Sequence, residues 1–262
     1  MPELPEVEVV VRKLRPRIIR KTISNVSIRR LRVIAPTSEE DLVRSLKGAR
    51  IVSLNRRGKY LVFALRRGKT KFTLLGHLGM SGDMYVVSQA EQEPKHAAVV
   101  LLLGTQKFIY EDTRYFGRFT LDTKPLEYLG PEPLSKDFSL KEFREALRRS
   151  SQSIKVKLLD QCLVAGLGNI YASEALFRAG INPRLPARRL TDAQIKRLWQ
   201  VIPKVLKHAI RFGATRGDGY LGRLGVYDRK GKPCRVCKAP INRIVQGARS
   251  TYFCPHCQRA SR

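Results

Sequence analysis

Four of the five cysteines stand as two pairs, Cys234-x-x-Cys237 and Cys254-x-x-Cys257, with sixteen residues between the pairs. No other feature limits the fold as tightly. Each C-x-x-C brings two sulfurs to one point of a tight turn, so the pairs offer four thiolates to one tetrahedral ion, and zinc suits that set. The intervening APINRIVQGARSTYF has room for two strands joined by a turn at Gln246-Gly247. Two disulfides are the alternative, but the N-terminus lacks the long apolar region of a secretory signal, and in a reducing compartment the spacing reads as a metal site. With all four positions filled by sulfur, no site remains for water, so the zinc is expected to be structural. His256, between ligands, reads as a surface residue, and Cys162 as a small buried apolar residue in a helix.

Upstream of this module the 262 residues divide by periodicity. Val7, Val10, Val11 and Leu14 share one helical face, which predicts a helix over 3–14 that stops before Pro16. From about 22 to 123 the pattern is of strands: IVSLNRRG, KYLVFAL, KFTLLGHLGM, DMYVVS, HAAVVLLL, KFIYED and GRFTLD, which at that spacing suggest a two-sheet sandwich or barrel. LGPEPLSKDF reads as a linker, and helices are predicted over 140–150, 153–163, 169–179 and 191–212, the last capped at Thr191-Asp192. Gly166 and Gly168 of VAGLGN allow a tight reversal between the second and third. The expectation is an α+β chain of three parts: a β domain with the first helix over 1–125, a linker and helical domain over 126–225, and the cysteine module over 226–262.

Charge narrows the partner. Lys plus Arg number 51 against 22 Asp plus Glu, a net charge of +29. Solubility needs only a few net charges, whereas an excess this large opposes compaction and favours a polyanion, whose phosphates release counterions when neutralised. Nucleic acid is the expected partner, with Arg249 presented to it by the rigid zinc hairpin. No run of about 18 apolar residues predicts a membrane helix, and the chain is expected to be cytoplasmic and monomeric.

The N-terminus reads MPELPEVEVV. A small second residue favours removal of Met1, and the mature chain would then begin with the secondary amine of Pro2. An α-amine titrates near about 8, and the positive end of a helix lowers that further, leaving much of it neutral and nucleophilic. Attack on a sugar C1′ would give an iminium, a strong electron sink. Glu3 and Glu6 lie at the same helix end and could handle protons. Taken alone, a helix beginning P-E-L-P-E is weak evidence, because most such starts are only caps.

PELPEVE at the start, RRGKYL at 56–61, GHLGMSG at 76–82, YFGR at 115–118, KLLDQCLVAGLGNIYASEALFRAGI at 157–181 and GARSTYFCPHC at the end occur in order over nearly the whole chain. Together they resemble the formamidopyrimidine-DNA glycosylases. The resemblance implies a bilobal enzyme: an N-terminal β-sandwich with the catalytic helix, a helix–two-turn–helix domain and a zinc β-hairpin, with damaged double-stranded DNA in the cleft between lobes. It implies Pro2 as nucleophile, Glu3 as the acid that protonates the deoxyribose ring oxygen, and Glu6 in support. Lys59 would grip the phosphate near the lesion, and His77, Asn169, Arg249 and Lys155 would hold others. An everted base leaves a hole in the stack. Met80, Arg114 and Phe116 match the residues that fill it, although periodicity alone would place Met80 and Phe116 in the core.

Three departures stand out. Where the family commonly reads D-P-R-R-F-G, this chain has Asp112-Thr113-Arg114-Tyr115-Phe116-Gly117. Of the family's K-H-D-H, Lys95-His96-Ala97-Ala98 keeps the first half. Between Gly213 and Val226 stands only ATRGDGYLGRLG, where members that prefer 8-oxoguanine carry a longer loop. The expected function is base excision repair by a bacterial, nucleoid-associated DNA glycosylase and apurinic/apyrimidinic lyase, cutting by β- and δ-elimination, with altered discrimination of 8-oxoguanine. The alternatives are an endonuclease VIII-like enzyme for oxidised pyrimidines, a non-catalytic zinc DNA-binding protein, and a basic zinc-ribbon RNA-binding protein.

Overall fold

The computed structural model describes residues 1–213 and 223–259. They fall into two compact units, Met1–Pro2 with Glu6–Glu127, and Glu3–Pro5 with Tyr128–Arg262.

Helix α1 (Leu4–Ile18) opens the chain. It does not stop before Pro16 but runs two residues beyond it. Pro16 lies on the exposed face, where water can reach the carbonyl it leaves unpaired, while Val7, Val11, Leu14 and Ile18 are buried along the opposite face. After α1 the first unit holds β1 (Asn25–Ile28), α2 (Glu39–Leu46), β2 (Arg50–Arg57), β3 (Tyr60–Arg67), β4 (Thr70–His77), β5 (Asp83–Ser88), β6 (Ala97–Leu103), β7 (Gln106–Glu111) and β8 (Arg118–Thr120). Helix α2 interrupts what the sequence reading expects to be strands. Its start is chemically plain, because Ser38 accepts from the Asp41 N–H and three acidic residues fill the first turn.

The strands form two four-stranded antiparallel sheets, ordered β1-β6-β7-β5 and β2-β3-β4-β8. Alternation drives their stacking: in β3, Leu61, Phe63 and Leu65 are buried and their neighbours are not. Phe63 and Phe119 of one sheet meet Phe108 of the other at ring separations of 5.9 and 5.8 Å, so the core lies between the sheets and the unit is a sandwich.

The second unit contains α3 (Leu140–Arg148), α4 (Ile154–Lys157), α5 (Asn169–Ala179), α6 (Asp192–Arg211) and the hairpin β9 (Asn242–Gln246) and β10 (Arg249–Phe253). Thr191 and Gln194 close a capping box at α6. The helix expected over 153–163 is a single turn. Asp160 takes the backbone out of helix by accepting from the Cys162 N–H at 2.9 Å. Cys162 therefore sits in a turn, exposed, and not in the core as expected. The 129–138 segment is anchored at its end: Phe138 is buried, and its carbonyl accepts from the Trp199 indole at 2.8 Å. No helix among the described residues is long and apolar enough to cross a membrane.

Candidate functional site

In the second unit the site is built on the first turn of α5. Gly166, at φ 83°, turns the chain back, and its carbonyl accepts from the Leu4 N–H at 3.0 Å. This bond carries Glu3 to the helix start. Its carboxylate accepts from the backbone N–H of Ile170 at 2.8 Å and of Tyr171 at 3.3 Å, donors that a helix start leaves unpaired. Glu3 is 1% exposed, so both donors act on it with little competition from water. Gly168 has a use beyond the reversal foreseen from sequence. A Cβ there would lie 2.4 Å from the Glu3 carboxyl carbon, so only glycine leaves room for the acid.

The same helix start organises a basic group. Asn169 accepts from the Lys155 ammonium through Oδ1 and donates through Nδ2 to the Ser250 carbonyl at 2.9 Å. It is the first residue of α5 and not its cap, which is Gly168, and its side chain links α4, α5 and β10. Lys155 is fully buried; burial, with the Arg249 charge nearby, pushes its pKa down to about 8, against the pull of Glu3. Arg249 itself is exposed at the start of β10. Glu174, farther along α5, is buried and was not singled out from sequence. It accepts from the N–H groups of Gly225, Val226 and Tyr227 at 2.8, 2.9 and 2.9 Å, pinning the chain as it enters the cysteine module.

In that module the four cysteine sulfurs lie within 4.8 Å of one another. Cys234 and Cys257 are 3.9 Å apart and Cys237 and Cys254 3.4 Å, far beyond a disulfide bond. Backbone N–H groups of Val236 and Cys257 point at sulfur, as suits thiolates, and four thiolates at this spacing need a cation to hold them. The donor set fits zinc. The turn lies one residue later than expected: Gln246 pairs with Arg249, so Gly247 and Ala248 form it, at φ 53° and 57°. Two positive φ values match the twist of a two-residue hairpin. Gln246 ties the hairpin to Ser153 at 3.0 Å. His256 is exposed.

The first unit carries the remaining candidates. Pro2 is buried with Met1 exposed before it, and Glu6 is half-buried in the first turn of α1. Lys59, buried at the β2–β3 turn, and Arg118 lie close enough to His77 to act on its charge. Burial first, then those two cations, bring the His77 pKa down to about 4, so the ring is neutral near pH 7. Its Nδ1 accepts from the Gly79 N–H at 3.1 Å, which leaves the proton on Nε2 for a ligand. Met80 and Phe116, which periodicity would bury, are 39% and 43% exposed. Both are raised on loops whose backbones touch: a Cβ at Gly79 would lie 2.5 Å from the Gly117 nitrogen.

Asp112 organises the second of these loops from below, a role the sequence reading missed. Fully buried, it accepts from Ser81 Oγ at 2.5 Å, the Gly117 N–H at 2.9 Å and the Arg114 N–H at 3.2 Å. Burial works against its ionisation, but these bonds outweigh it and hold the carboxyl below its ordinary range. The signal was present as an aspartate two residues before an arginine in a loop, the pattern of a side chain that captures its own backbone.

Three family models match the chain: formamidopyrimidine-DNA glycosylase N-terminal domain over residues 1–119, the H2TH domain of the same glycosylase over 129–218, and the zinc finger found in FPG and IleRS over 231–260. A formamidopyrimidine-DNA glycosylase of Desulfitobacterium hafniense is 40% identical, covering 98% of this chain and 100% of that protein. One of Symbiobacterium thermophilum is 43% identical, covering 98% and 89%. Among solved structures, the Lactococcus lactis enzyme bound non-covalently to DNA with an AP site superposes with a TM-score of 0.91 at 38% identity, covering 98% of this chain and 100% of that one. The same enzyme with DNA containing Fapy-dG gives 0.91 at 37%, with the same coverage.

Proposed function

We propose, for a chain that belongs to the formamidopyrimidine-DNA glycosylase family, that its N-terminal imino group and Glu3 together perform the chemistry. The protein is a DNA glycosylase and apurinic/apyrimidinic lyase acting on damaged double-stranded DNA. The observation that carries the reading is the seat of Glu3: a buried carboxylate, next in the chain to Pro2, fixed by two amides at a helix start. Once Met1 is removed, the Pro2 nitrogen attacks C1′ of the damaged nucleotide. The C1′–base bond breaks and the base leaves with the proton that the nitrogen gives up, while Glu3 supplies a proton to the ring oxygen so that the C1′–O4′ bond opens. The nitrogen thereby becomes a cationic iminium. Loss of a proton from C2′ expels the 3′ phosphate, and a second elimination expels the 5′ phosphate, so the strand is cut on both sides of the lost sugar.

The remaining residues hold the substrate. Lys59, His77, Lys155, Asn169 and Arg249 bind backbone phosphates, Glu6 supports the reacting end, and Met80, Arg114 and Phe116 fill the hole left by the everted base. A zinc ion held by Cys234, Cys237, Cys254 and Cys257 supplies rigidity and no chemistry. The 214–225 segment, whose shortness motivates the expectation about 8-oxoguanine, lies for residues 214–222 outside the described residues. Ring-opened purines, oxidised pyrimidines, hydantoins and abasic sites are, on this proposal, better substrates than 8-oxoguanine. Equal or faster excision of 8-oxoguanine from matched duplexes would refute it.

Borohydride trapping tests the central step. Protein of a mass lacking Met1 should become covalently joined to an abasic duplex. Pro2→Gly and Glu3→Gln should lower base excision by about 10²–10⁴-fold. Processed wild-type protein that never traps would end the proposal.

A further inference from the structure

Tyr115 stands where the family commonly has a second arginine, and the structure shows what accompanies that exchange. The chain between β1 and α2 is anchored by the buried Val33 and Ile34 and by the Arg29 N–H bonded to the Ala98 carbonyl at 2.9 Å. Between these anchors it exposes Arg30, Leu31 and Arg32. The Arg30 guanidinium lies 5.1 Å from the centre of the Tyr115 ring, and that of Arg32 5.3 Å from the centre of the Phe116 ring. Arg114 approaches the Phe116 ring too, at 5.1 Å. Tyr115 is held at φ 52°, and its hydroxyl meets His96 Nδ1 at 3.3 Å. Arg29 is ion-paired to Glu93, but neither Arg30 nor Arg32 has an acidic partner among the described residues. One Nη of Arg30 donates to the Arg29 carbonyl at 2.9 Å, which helps fix the guanidinium plane over the Tyr115 ring and leaves its remaining N–H groups for a ligand; a planar guanidinium held in this way suits phosphate binding.

We infer that Arg30 and Arg32, carried on the rings of Tyr115 and Phe116, are a further phosphate-binding site for the DNA backbone beside the everted base. The positive charge absent at position 115 is returned in three dimensions by Arg30, and Tyr115 is its platform. Because the same loop carries Arg114 and Phe116, phosphates held here border the gap those two residues fill. This inference rests on the proposed glycosylase reading only for the place of that gap; the site itself requires DNA and no chemistry.

The test is the salt dependence of binding to a duplex with a tetrahydrofuran abasic analogue, which cannot be cleaved. Arg30→Ala with Arg32→Ala should flatten the slope of log affinity against log salt by about 1–2 and weaken binding about tenfold or more at 0.1 M salt. Lys69→Ala with Lys71→Ala removes the same charge from another exposed stretch of the same unit and should leave the slope as in wild type. Tyr115→Leu, which changes no charge, should weaken binding severalfold, as a platform requires and a bulk charge effect does not. Thermal unfolding within a few degrees of wild type establishes that each variant is folded, and Arg30→Lys with Arg32→Lys, keeping charge without the planar fork, should bind less tightly at an unchanged slope. A double alanine variant indistinguishable from the lysine control overturns the inference, as does wild-type binding by Tyr115→Leu. Borohydride trapping of a natural abasic duplex at low salt separates the two readings. Wild-type trapping with an unaltered slope in the arginine variant removes this site alone, while wild type that binds but never traps removes the enzymatic reading and leaves the slope comparison standing.

Discussion

The start of α5 and the loop at 112–117 handle functional side chains in opposite ways. At α5 the reacting group is buried: Glu3 is 1% exposed, under two amide donors and against a glycine with no space for a methyl group. At 112–117 the functional side chains are in solvent, and what is buried is the carboxylate beneath them, Asp112. The difference follows from the tasks. A proton donor must be desolvated and fixed before substrate arrives, whereas residues that enter a base stack must protrude and need only their backbone fixed. Lys155 and Arg249 repeat the contrast within one unit, the first buried and the second exposed.

The largest test of this contrast is Gly168→Ala. The added methyl must displace the Glu3 carboxyl, and a shift of about 1 Å at a reacting group costs about 10²-fold in rate. Single-turnover excision should fall by that amount while affinity for an abasic-analogue duplex holds within a few-fold; equal losses in both would mean that the acid and the binding surface are not separable. Next is metal removal. Chelation should unfold the hairpin that carries Arg249 and weaken DNA binding by about ten- to a hundredfold, roughly one charge-assisted contact of 1.5–3 kcal/mol. Far-ultraviolet dichroism and binding titration before and after zinc is restored would check it, and unaltered binding without metal would exclude the structural role.

Asp112→Asn probes the exposed loop. It removes the charge that gathers the Ser81, Arg114 and Gly117 donors, so unfolding stability should drop by about 1–3 kcal/mol and duplex affinity by several-fold, with trapping at saturating DNA preserved. The smallest effect is a pH dependence. Lys155 is charged below about 8 in the fold and below 10.5 in the unfolded chain. Between those values the unfolded state holds more protons, so stability rises with pH while affinity for phosphate falls. Calorimetry at pH 8.5 in buffers of different ionisation enthalpy should register proton uptake on DNA binding, absent in Lys155→Met. His77, with its pKa near 4, is neutral from pH 5 to 8 and should add no such term.

Much of this was legible in the chain. The cysteine spacing placed the metal set, short β-rich runs between turns placed the strands from β2 to β8, and Thr191 marked the start of α6. The misses share one cause. α4 ended early because Asp160 captured a backbone N–H, α1 continued through Pro16 because that residue is exposed, and Met80 and Phe116 were lifted out of the periodic pattern by loops packed backbone to backbone. Periodicity reports average burial along an element, and none of these decisions is made along an element.

Local spacing and charge therefore settled the ligand set, the polyanionic partner and the order of the elements other than α2, because each depends on residues that are neighbours in the chain or on a sum over all of them. Only the tertiary structure decided that Glu3 lies against Gly168 and the amides of Ile170 and Tyr171, and that Arg30 lies over Tyr115. These pairs are separated by more than eighty residues, and their meeting is fixed by the packing of whole elements, which no local pattern encodes.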